Sequence, residues 1–69
     1  MNGHVITIEL LLGSANLYRV TVVDLDHGNK PEGMEDVRSF NKAYQLALSW
    51  KKVLGYPVRL KQGHNLRAI

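Results

Sequence analysis

The sequence predicts an α+β fold, one helix packed on one face of a mainly antiparallel sheet, and three observations carry that expectation. Two stretches near the start alternate apolar and polar residues with period two on either side of a short Gly-Ser-Ala-Asn break, the pattern of a hairpin. A later stretch repeats apolar residues at i, i+3, i+4 and i+7, which makes one buried stripe on a helix. Shorter alternations flank that helix, so the order reads β-β-(β)-α-β-(β) in a single domain over residues 1–69.

In residues 4–12, Ile6, Ile8, Leu10 and Leu12 alternate with Val5, Thr7, Glu9 and Leu11, and the β-branched members favour a pleated strand. Residues 13–16 turn the chain. Tyr18, Val20 and Val22 then alternate with Arg19 and Thr21 to about Leu25, returning antiparallel. Residues 26–33 contain Gly28, Gly33, Pro31, Asn29 and Asp26 and read as an exposed loop, while residues 35–40 are expected to form a brief third strand leading into the helix.

The helix stripe consists of Phe40, Ala43, Ala47, Trp50 and Leu54, joined by Leu46 and Val53. Ser39 or Asn41 can cap its start and Gly55 its end, and Lys51 and Lys52 complement the negative end of the helix dipole. The stripe is expected to face Ile6, Ile8, Leu10, Tyr18, Val20 and Val22 across one core, with Trp50 as its anchor. After Pro57, Val58 and Leu60 alternate with Arg59 and Lys61 in a further strand, and a turn over residues 62–65 leads to a last short strand over residues 66–69.

A chain of 69 residues buries only about 60% of the surface it exposes when unfolded, and this one has no Cys to staple it, so packing must hold the fold. No apolar run reaches the roughly 20 residues of a membrane-spanning helix, and the run from Val5 lacks the basic flank and cleavage site of a signal peptide. The sequence therefore points to a cytoplasmic protein without a membrane partner. Its +3 net charge is unevenly placed. All six acids lie at or before Asp36, opposed there by Arg19 and Lys30 alone. The other cations, Arg38, Lys42, Lys51, Lys52, Arg59, Lys61 and Arg67, follow it with no acid among them. Such polarity suits an acidic partner or head-to-tail attraction between copies, while a solvated helix face and strand face account for it more simply.

The run Tyr18-Arg19-Val20-Thr21-Val22-Val23-Asp24-Leu25 before the loop, followed by a helix opening Phe40-Asn41-Lys42-Ala43, resembles the layout of the HicB-type antitoxin N-terminal domain. Several short phage-encoded and uncharacterised bacterial proteins share that layout. The resemblance lies in element order and carries no functional residue across.

Asp24, Asp26, His27 and Glu32 gather oxygen and imidazole donors around the loop, but neither EF-hand spacing nor an i, i+4 histidine pair accompanies them, so turn chemistry is the simpler reading and no metal is expected. His27 with Asp24 or Asp26 has the makings of an acid-base pair, yet no nucleophile stands at a recognisable spacing. Phosphate-binding glycine loops and a nucleophile elbow are missing, so neither catalytic residues nor a cofactor are expected. The residues that best fit a partner surface are Tyr44, Leu48 and Lys51 on one helix flank, with Arg59 and Lys61 in the basic half. The function these imply is a small non-enzymatic regulatory or inhibitory module that binds a protein, of a kind related to phages or mobile elements. Nucleic acid is the second candidate partner, met by the basic half, although no recognition motif supports it. Apolar Leu11, Val23 and Leu25 fall outside the expected core and leave a homodimer through a sheet edge or face as a further expectation.

Overall fold

The computed structural model describes residues 3–11, 16–63 and 65–69. Strands β1 (His4–Leu10) and β2 (Tyr18–Asp24) pair antiparallel as the alternation implies, from His4↔Asp24 to Leu10↔Tyr18. Leu12, His64 and all of the first turn except Asn16 lie outside the described residues.

The third strand is earlier and longer than the sequence implies. β3 runs over Lys30–Val37 and takes in Pro31 and Gly33, both assigned above to a loop. The connection shrinks to a 3-10 turn over Leu25–His27, followed by Gly28 and Asn29 in the left-handed region. Pro31 is tolerated because β3 is an edge strand, where a missing N–H breaks no central ladder. Between Val22 and Val23 the register shifts, with Val22 opposite Gly33 and Val23 opposite Pro31, so Glu32 is the extra residue of a bulge.

Helix α1 covers Phe40–Leu54. The Ser39 hydroxyl accepts a hydrogen bond from the Lys42 amide at 3.1 Å. At the other end Gly55, at φ +77°, donates its N–H to the Lys51 carbonyl at 2.8 Å. β4 (Val58–Gln62) and β5 (Asn65–Ala68) then complete a five-stranded sheet of order β3-β2-β1-β4-β5. Three of the four pairings are antiparallel and one, β1 with β4, is parallel, made possible by the crossover from β3 through α1 to β4.

The core lies between α1 and one face of this sheet. Ile6 stands between Val22 and Val58, and Ile8 between Val20 and Leu60. Ile6, Ile8 and Val20 are wholly buried, each stabilising by roughly 1.5–3 kcal/mol. Ala43 and Ala47 are buried above them, and their small side chains let the helix approach the strands closely. The expected core is corrected at three residues, Leu10, Leu54 and Val53. Leu10 ends β1 and is exposed, and Leu54 is exposed at the end of α1. Trp50 packs against the core but is only half-buried, and Val53 is 82% exposed. Both border an unfilled groove at this end of the helix that Gly33 also lines.

Candidate functional site

Two features of the surface concentrate polar chemistry beside unfilled apolar space. The first is the sheet face opposite the helix, which no other described element covers. Alternation puts Ile6, Ile8, Val20, Val22 and Val58 under α1, so their neighbours Val5, Thr7, Thr21, Val23, Arg59 and Lys61 point to the other side. One row of this face crosses all five strands as Asp36, Arg19, Glu9, Lys61 and Leu66, so its charges alternate in sign. Arg19 grips Asp36 with two hydrogen bonds, Nε to Oδ1 at 2.9 Å and Nη2 to Oδ2 at 3.1 Å, and Lys61 Nζ lies 3.9 Å from Glu9 Oε2. The hydrogen bond and charge of Arg19 hold Asp36 below its ordinary value against partial desolvation, and Asp36 raises Arg19 in return.

The next row is Met34, Thr21, Thr7, Arg59 and Ala68. Arg59 curls back to donate to the Val58 carbonyl at 2.9 Å. Thr7, Lys61 and Leu66 of these rows, with Val5, Val23 and Leu25 beyond them, line a hollow of about 200 Å³. Around the buried Val5, Thr7 and Thr21, this face leaves Met34 52%, Leu25 44% and Leu66 43% exposed.

The second feature lies on the helix side, where three strands bring together His4, Asp24 and Glu32. The hairpin register sets His4 opposite Asp24, and the bulge turns Glu32 toward both. His4 Nε2 is 2.9 Å from Glu32 Oε1 and 3.8 Å from Asp24 Oδ2. Asp24 is buried, with Oδ1 accepting from the Asp26 amide at 3.0 Å and Oδ2 only 2.6 Å from His27 Nδ1. Burial pushes the Asp24 carboxyl up, but the hydrogen bonds from His27 and the Asp26 amide, with the charges of His27 and His4, outweigh it and hold the group low. Next to this cluster is an apolar groove of about 400 Å³ lined by Val22, Gly33, Trp50, Val53, Leu54 and Tyr56, with Glu32 as its charged wall.

The structure divides the partner residues named from the sequence between the two sides of the molecule. Tyr44, Leu48 and Lys51 are on α1, Tyr44 half-buried with its ring stacked 6.1 Å from that of Phe40, Leu48 and Lys51 exposed. Arg59 and Lys61 are on the opposite face of the sheet. Of the donors grouped around the loop, Asp24, His27 and Glu32 do come together, while Asp26 contributes its backbone amide. Their partner His4 lies far away in sequence. Its signal was the hairpin itself, since pairing β1 with β2 in register puts His4 beside Asp24.

No protein family, curated relative or solved structure matches this chain. No helix among the described residues is long and apolar enough to cross a membrane.

Proposed function

We propose that this protein is a non-enzymatic binding module of regulatory or inhibitory type, and that its partner is another protein packed against the uncovered sheet face. The observation that carries the reading is the exposure of Leu25 and Leu66 at a hollow, with Met34 exposed elsewhere on the same sheet face, which has no second layer, since an apolar surface of this kind is stabilised by association. The partner's complementary surface is apolar at its centre and carries a carboxylate opposite Arg59, the cation of this face that meets no acid among the described residues. A protein is favoured over nucleic acid because Arg19 and Lys61 are already engaged by Asp36 and Glu9, while Lys42, Lys51 and Lys52 belong to the other side of the molecule. The absence of catalysis is favoured because, among the described residues, no hydroxyl is hydrogen-bonded to the His27 and Asp24 pair, and the Ser39 hydroxyl is engaged as a helix cap.

The test is affinity capture with the native chain and with two surface variants, Met34→Glu with Leu66→Glu, and Arg59→Glu. The reading expects one polypeptide to be retained by the native chain and lost by both variants, and to bind again when purified. Retention of nucleic acid that disappears with added salt would overturn it, as would a stable homodimer that buries the same face.

A further inference from the structure

We propose that His4, Asp24 and Glu32 form a binding site for a divalent transition-metal ion of the zinc type. Three groups from three different strands present one donor atom each, and those atoms all lie within 4.8 Å of one another. Zinc binds imidazole nitrogen and carboxylate oxygen at about 2.0–2.2 Å, which puts tetrahedral donors about 3.4 Å apart. The observed separations of 2.9 and 3.8 Å from His4 Nε2 straddle that spacing, so small side-chain rotations admit the ion.

The surroundings are those of a held site rather than of a chance meeting of side chains. The His4 ring is stacked on Tyr56 with centroids 4.6 Å apart, which restrains the plane in which Nε2 lies. Asp24 is oriented by the Asp26 amide and by His27, the outer hydrogen bonds that ligating carboxylates carry. Two carboxylates flank a single imidazole nitrogen, which as a neutral ring can donate to only one of them. A divalent cation engages all three groups and neutralises both negative charges. A set of one nitrogen and two oxygens without thiolate selects zinc, cobalt, nickel or manganese over soft copper(I). Glu32 is half-exposed, so water can complete the coordination from the solvent side. This site stands apart from the sheet face assigned to the protein partner, and the two readings succeed or fail separately.

The test titrates the untagged full chain with Co²⁺ and follows its visible absorption, with Zn²⁺ added afterwards as competitor. A saturable one-to-one band that Zn²⁺ removes is expected, weakened by about tenfold or more in Glu32→Gln and in His4→Gln. His27→Gln, which alters an outer partner, should weaken it less. Glu32→Gln changes a half-exposed side chain, and an unchanged amide spectrum confirms that the variant folds. Absence of a saturable band at millimolar Co²⁺ would overturn the proposal, as would an affinity unchanged in both ligand variants.

Discussion

The imidazole of His4 lies flat against the phenol ring of Tyr56, with centroids 4.6 Å apart and planes 12° from parallel. The residue that opens the first strand is thus steadied by one just past the helix C-cap. A double-mutant cycle between His4→Ala and Tyr56→Ala should give a coupling of about 0.5–1.5 kcal/mol in urea unfolding, the range for stacked aromatic pairs. Additive losses would show that the two rings do not support each other.

Trp50 and Ile8 should exchange the ranks that side-chain size suggests. Ile8 is wholly buried between Val20 and Leu60, and Ile8→Ala should cost about 2–5 kcal/mol. Trp50 is half-buried on a groove, so Trp50→Ala should fall below the roughly 3–5 kcal/mol of a fully enclosed tryptophan. Chemical denaturation of the two variants side by side decides the order.

Ala47 keeps the helix close to the sheet, and enlarging it should separate them. Ala47→Leu is expected to destabilise by about 1–3 kcal/mol through overpacking, whereas the same change at exposed Ser49 should be nearly neutral. Equal thermal midpoints for the two variants would contradict the tight helix-sheet contact.

Acid should weaken the fold in part through Asp36. Its folded-state pKa is held below the ordinary 3.8 by Arg19, so its contribution is fully present above that value and is lost as the pH falls through the lowered one. Unfolding midpoints measured from pH 7 downward should therefore drop below about pH 4, and Asp36→Asn should make that drop shallower. Because both side chains are more than a third exposed, added salt should reduce the difference.

Much of this architecture is legible in single residues, and the exceptions share one cause. The alternation around Ile6, Ile8, Val20 and Val22 and the Ala43-Ala47 stripe report local periodicity, and both elements formed where that periodicity put them. So did the Ser39 and Gly55 caps. Pro31, Asn29 and Gly33 carry the composition of a loop, but position in the sheet decides their structure, because an edge strand accepts what a central one cannot. The same holds for the surface chemistry. Asp24, His27 and Glu32 stand together in the sequence, whereas His4 joins them only through strand register, and the Asp36-Arg19-Glu9-Lys61 row depends on four strands aligning at once. Val53 fits the helical stripe by spacing yet is exposed beside an unfilled groove, near the helix end where the sheet no longer covers it.

The parallel pairing of β1 with β4 also dictates an order of assembly. β1 sits at the centre of the sheet, yet one of its neighbours, β2, follows within a short turn while the other waits until the edge strand, the helix and the Gly55-Tyr56-Pro57 connection have been made. A chain emerging from the ribosome can close the hairpin early, but Ile6 and Ile8 keep an open backbone edge until Val58 and Leu60 arrive. This long-range closure carries the larger loop entropy, and until it is made the central strand presents an unpaired, strongly apolar edge. During that interval the β4–β5 pair of a neighbouring copy competes for the same edge, which makes strand exchange at high concentration the natural failure mode of this fold.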